Sequence, residues 1–238
     1  MKLEVCVADP QSLAGAIAGG AERIELCSAL ELGGLTPLPG LMALARESGI
    51  ETYALIRPRS GDFVFDAHDE AAMLRDIDAV RAAGLAGVVL GANHQDGRLD
   101  DKLLARLLAH ASGLGSTLHR AIDLVPDFAE ATETAITLGF DRILTSGGAP
   151  TVLEGLGQLA LAHATARGRI KVMAGSGVRP DNVLEILAAV PVDEVHSSCA
   201  GVPEPSAGGA VRLGFAAKTK RHTDAAVVRA FRETLAEL

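Results

Sequence analysis

A closed (β/α)₈ barrel is the fold class that this 238-residue sequence predicts. Three observations lead there. Short apolar, β-branched runs alternate with longer Ala- and Leu-rich stretches of helical period, eight times over. Strict alternation of that kind implies parallel strands joined by right-handed crossovers, and eight units in about 240 residues match the usual size of a closed barrel. No G-x-G-x-x-G follows the first strand, where an open dinucleotide-binding sheet carries it. A doubly wound open sheet stays as the alternative, because periodicity alone does not demonstrate closure.

The units follow in order. LEVCV (3–7) reads as a strand and precedes a helix near 12–18; RIEL (23–26) precedes a helix over 41–48. TYALI (52–56) precedes a long amphipathic segment, 66–83, and GVVL (87–90) precedes 100–111. STLH (116–119) leads to 128–138, RILT (142–145) to 152–166, KVMA (171–174) to 180–189, and DEVH (193–196) to a last helix over 223–238. No linker interrupts the series, so residues 1–238 read as one TIM-barrel domain, with the Gly/Pro-rich stretch 201–214 as a long loop, a lid or a disordered connection.

Composition narrows the function classes. Hydrophobic residues make up 48% of the chain, enough for a sizeable core. Thirty acids against 22 bases give a net charge of −8, which argues against a nucleic-acid surface. The N-terminal MKLEVCVADP lacks the apolar stretch of a signal peptide or membrane span. Three scattered cysteines, Cys6, Cys27 and Cys199, do not make a disulfide framework. A soluble cytoplasmic protein is the expectation.

Polar residues collect just past the predicted strands, while the helix-to-strand turns AGGAER, ESGIET, AAGLAG and TLGFDR are plain. In a barrel the strand-end loops converge on one pole, and active sites are built there. Within the strands, Glu4 and Cys6 share a face, as do Glu25 and Cys27, and Glu194 and His196. Three buried-phase glutamates suggest a polar layer facing the barrel axis; the plainer reading is that they sit near the opposite rim and pair with Arg or Lys. His119 and His196 at strand ends, with Glu25 and Asp123 nearby, are candidates for general acid–base work or for satisfied structural roles. The turns containing Ser146 and Gly147, and Gly175, Ser176 and Gly177, resemble anion cradles, though glycine also simply makes tight turns. Arg57 and Arg59 suit carboxylate or phosphate recognition, or ion-pairing with Asp62 or a barrel glutamate. Cys6 and Cys27 lie on neighbouring strands, where two thiolates could hold a soft ion such as Cu(I), with Cys199 a possible third ligand after closure. Without a C-x-x-C, inert small hydrophobes are the plainer reading.

The motifs LEVCV, GGAERIELCSALELGGLTP, IRPRSGDF, H-R-A-x-D at 119–123, RILTSGG, KVMAGSGVRPDN and EVHSS resemble the CutC family of copper-homeostasis proteins from residue 2 to about Ser198. The resemblance implies a (β/α)₈ barrel, a cytoplasmic setting, frequent oligomers and Cu(I) handling through the cysteines of E-V-C and E-L-C, here Cys6 and Cys27. Two functions therefore stand side by side. One is a Cu(I)-binding homeostasis protein. The other is an enzyme acting on a small anionic or phosphorylated metabolite, which the polar pole favours.

Overall fold

The computed structural model describes residues 1–237. Its eight strands β1 (Lys2–Val7), β2 (Arg23–Leu26), β3 (Glu51–Leu55), β4 (Gly87–Leu90), β5 (Gly115–Leu118), β6 (Arg142–Thr145), β7 (Lys171–Ala174) and β8 (Glu194–Ser197) run parallel and close in chain order. Closure is the pairing of β1 with β8, in which Glu4 lies level with His196. The predicted barrel is therefore present, and the open-sheet alternative is excluded.

Helices α1 (Pro10–Gly19), α2 (Pro39–Glu47), α3 (Ala67–Ala82), α4 (Asp101–His110), α5 (Phe128–Leu138), α6 (Leu156–Ala166) and α7 (Val183–Ala189) return the chain between successive strands. Aspartates set several starts: Asp9, Asp100 and Asp127 each accept a backbone N–H from the first turn that follows, and Asp66 forms a capping box with Asp69. Outward strand residues such as Leu3, Val5, Ile24, Leu26, Val88 and Leu90 are fully buried against the helices and form the main core. Tyr53 fills part of the interior instead. Its side chain fits because β4 and β5 carry Gly87 and Gly115, where a Cβ would stand only 2.3 Å from a ring carbon and 2.0 Å from the phenol oxygen.

Two helices begin later than their periodicity suggests. Residues 152–155 form a turn tied to the next loop by the Val152 N–H to Ser176 carbonyl bond, so α6 starts at Leu156. Asn182 accepts the Arg179 N–H through its side chain and holds 180–182 in a turn before α7. Stretch 201–214 is not the plain loop expected. It contains β9 (Glu204–Pro205) and α8 (Gly208–Arg212), and β9 pairs antiparallel with β10 (Thr219–Lys220). The last helix, α9 (Ala225–Ala236), starts after the Asp224 cap and packs on α1. No helix among the described residues is long and apolar enough to cross a membrane.

Candidate metal and ligand site at the mouth of the barrel

The barrel interior holds two tiers of polar side chains. The lower tier is an ion network across the axis. Arg23 reaches Glu4 through Nε at 2.5 Å and Glu194 through its terminal nitrogens, and all three are buried. Arg142 Nε lies 3.3 Å from Glu194, and its NH1 donates to Thr117 Oγ1 at 3.1 Å. Both guanidinium groups also lie against the Tyr53 ring, 5.7 and 4.6 Å from its centroid. The strand glutamates Glu4 and Glu194 thus do both things the sequence left open: they face the axis, and they pair with arginines. Burial opposes ionisation of Glu4, but the bonds to His196 and Arg23 outweigh it and hold its pKa at about 2.

The upper tier stands on this network. Because β1 and β2 pair with Cys6 level with Glu25, and β1 and β8 with Glu4 level with His196, three side chains converge just above Glu4. A His196 ring nitrogen, the Cys6 sulfur and a Glu25 carboxylate oxygen lie within 4.8 Å of one another, all buried. Glu4 Oε1 bonds His196 Nδ1 at 2.8 Å, which turns Nε2 towards Glu25 Oε2, 3.7 Å away. Burial disfavours a charged His196, yet Cys6, Glu4 and Glu25 together raise its pKa well above the ordinary value. Burial first, then Glu4, pushes Glu25 upwards against the pull of His196. Cys27 sits one rung nearer the mouth, its N–H donating to the Val7 carbonyl and its thiol donating to Glu25 Oε2 at 3.5 Å. Burial and the adjacent carboxylate raise the Cys27 thiol pKa strongly. Cys199 is buried nearby, its thiol pushed up to about 11 by burial, but stands outside the three-residue cluster.

The remaining sequence candidates divide by what already holds them. Arg57 donates to the carbonyls of Leu32, Gly34 and Gly61, so its guanidinium organises two mouth loops. Arg59 is paired with Asp69 and Asp62 and donates to the Val64 carbonyl. The turn at Ser146 and Gly147 is an anion cradle that already contains an anion: Asp123 accepts from the N–H groups of Ser146 and Gly148, the hydroxyls of Thr145 and Ser146, and Arg120 Nε. Asp123 and Ser146 are therefore brought together as a loop clasp. Asp123→Asn, which sets an amide NH₂ against that row of donors, is expected to cost about 1–3 kcal/mol in urea unfolding. Gly175 donates to the Thr145 carbonyl, whereas Ser176 and Gly177 line a cavity of about 860 Å³ that also reaches Cys6 and His196.

His119 falls just beyond β5, where its Nδ1 accepts the Ala121 N–H and its ring packs 4.7 Å from Phe63. Burial first, then Arg57, lowers its pKa to about 3, so the ring is neutral near pH 7. The unfolded chain takes up this proton near pH 6.5 and the folded chain only near 3, so acidification through that interval destabilises the native state. His119→Asn is expected to flatten the stability curve between about pH 6.5 and 4.5, in urea titrations at stepped pH. Parallel wild-type and variant curves there contradict the assignment.

The sequence reading missed Arg23 and Arg142, which begin their strands at the inward phase, and Glu4 as the group that orients His196. It also passed over Arg179 and Arg221, which line the larger cavity together with Arg120 of the H-R-A-x-D motif.

A model of the CutC family matches residues 1–201. The chain belongs to the CutC family. It is 57% identical to a family protein CutC of Sinorhizobium medicae, over 98% of this chain and 95% of the relative. A solved CutC structure from Streptococcus agalactiae, assigned by its name to copper homeostasis, superposes with a TM-score of 0.79 at 29% identity, over 83% of this chain and 98% of that one. Thiamine phosphate pyrophosphorylase of Pyrococcus furiosus, at 18% identity and a TM-score of 0.58 over 99% and 96% of the two chains, shares the barrel fold. The CutC family is linked to copper homeostasis by name, and the match covers every strand of the barrel and each residue of the upper tier.

Proposed function

We propose that this CutC-family chain binds Cu(I) at the mouth of its barrel, with the Cys6 thiolate and His196 Nε2 as ligands and Cys27 as the neighbouring thiol that takes the ion over or releases it. The observation that carries the reading is the convergence of Cys6, His196 and Glu25 within 4.8 Å in a buried cluster. A thiolate and an imidazole make a soft donor pair of the kind that selects Cu(I) over harder cations. Glu4 holds Nδ1, so Nε2 is the nitrogen left to face the ion.

Loading requires His196 Nε2 and the Cys6 thiol each to lose a proton, the imidazole's passing to solvent through the cavity that reaches it and the thiol's to Glu25. Glu25 lies 3.5 Å from Cys27 and within the cluster with Cys6, where its carboxylate is placed to receive the thiol proton. The lower ion network is close to neutral, with two arginines against two glutamates, so a Cu(I)–thiolate unit adds little net charge to the interior. A cytoplasmic setting, where thiols stay reduced, and self-association, as the family resemblance implies, complete the reading.

Anaerobic titration of Cu(I) against a competing chelator tests it. Wild-type protein is expected to take up one tightly held ion, and the Cys6→Ser/Cys27→Ser variant none at comparable affinity. Equal stoichiometry and affinity in the two proteins reject the site.

A further inference from the structure

The cavity of about 860 Å³ lies between the loops that follow β7 and β8 and the first turns of α9. Copper needs no such volume. Its size falls within the range of pockets that hold small organic molecules. Its polar lining is basic in a chain of net charge −8: Arg120, Arg179 and Arg221 face it, with Asp181 the only acid on its wall among the described residues.

These arginines keep donors in reserve. Arg120 uses Nε on Asp123 and NH2 on Ser146 and Ala149, which leaves NH1 without a partner. Arg179 engages Asp181 through Nε and makes a 3.5 Å contact to the Gly177 carbonyl through NH1, leaving NH2 without one. Arg221 has no ion pair or hydrogen bond among the described residues. The N–H groups of Gly177 and Val178 on the same wall also take part in no hydrogen bond among the described residues. They are presented by a turn in which Ser176 is held at φ +72°, a left-handed conformation rare for a residue with a Cβ; its hydroxyl donates to the Pro150 carbonyl and its own carbonyl accepts from Val152. The facing wall is apolar, formed by Ala226, Val227 and Ala230 of α9. Cys6 and His196 stand at the inner end.

We infer that this cavity is a binding site for a small phosphate monoester: its phosphate lies between Arg179, Arg221 and the Gly177–Val178 amides, its organic body against the apolar wall, its far end towards His196 and Cys6. Convergent guanidinium groups and free backbone N–H groups are the usual means of holding a phosphate dianion. The 146–148 turn does not compete for it, because Asp123 already fills that cradle.

The test is calorimetric titration of metal-free full-length protein with phenyl phosphate, so that the outcome does not depend on copper. The inference expects saturable binding, competition by inorganic phosphate, no binding of phenol, and affinity reduced at least about tenfold by each of Arg179→Ala and Arg221→Ala. Both side chains are exposed, so the variants are expected to keep the wild-type melting temperature. Bound phenyl phosphate should also shift the His196 imidazole resonances. Absence of saturable binding at millimolar probe overturns the inference. So does affinity unchanged in the double arginine variant, or binding that leaves the His196 signals in place.

Discussion

Arg23→Met is expected to lower the free energy of unfolding by about 3–5 kcal/mol, the cost typical of breaking a buried ion pair from one side. Arg23 is the shared partner of Glu4 and Glu194, and none of the three is accessible to water to any useful degree. Removing the guanidinium leaves two carboxylates in the barrel with only Arg142, Lys171 and His196 to compensate. At the usual 2–4 °C per kcal/mol for a chain of this size, the melting temperature should fall by roughly 6–20 °C. The triple variant Glu4→Gln/Arg23→Met/Glu194→Gln should regain much of the loss, since neutral groups no longer need the cation. A loss below about 1 kcal/mol in urea unfolding contradicts the network's role. The same network sets an acid limit. Glu4, held at about 2, and Glu194, lowered by Arg23 against the effect of burial, contribute stability above the ordinary glutamate pKa near 4.5. That contribution is lost as pH falls from there towards 2. Arg23→Met should lose the part of this component that Arg23 supplies, keeping that from His196 on Glu4 and from Arg142 and Lys171 on Glu194.

The second large effect concerns the metal. Cys6→Ser is expected to weaken Cu(I) binding by more than about a hundredfold, because loss of outer-sphere partners alone typically costs 10–100-fold. Glu4→Gln supplies that comparison. It leaves every proposed ligand in place but weakens the acceptor on His196 Nδ1, and should cost about 10–100-fold. Cys27→Ser should change affinity least of the three and slow exchange of the ion with a chelator, as its thiol stands one rung outside the cluster. Competition titrations and stopped-flow transfer to a chelator read the two quantities separately. Affinity that follows Cys27 more than Cys6 would reverse the proposed roles.

The barrel was legible because each strand–helix unit is a local pattern: apolar runs of four or five residues, aspartate caps, and polar segments at one end only. The polar pole was legible for the same reason. What lay beyond reach was contact across the ring. Arg23 and Glu194 are separated by 171 positions, and nothing near either residue marks the other as its partner. The same holds for Glu4 and His196, 192 positions apart, whose bond decides which imidazole nitrogen faces the cluster. Residue type was a poor guide to availability. Arg57 and Arg59 read as anion ligands, and most of their donors go to carbonyls and aspartates of the adjoining loops, while Arg57 Nε has no partner among the described residues. Arg221, between the 201–214 stretch and the last helix and assigned no role from the sequence, faces the cavity without a partner among the described residues. Cys6 and Cys27 were visible as a pair on adjacent strands; the register that sets Cys6 level with Glu25 and Cys27 above it was not.

The most direct test of the copper site is Cu K-edge X-ray absorption on protein loaded anaerobically with one equivalent of Cu(I). The proposal predicts sulfur and imidazole nitrogen in the ligand set of wild-type protein, with the imidazole scattering lost in His196→Gln and the sulfur lost in Cys6→Ser. A spectrum of oxygen or nitrogen neighbours without sulfur, or one that neither substitution alters, would mean that copper does not bind at this cluster.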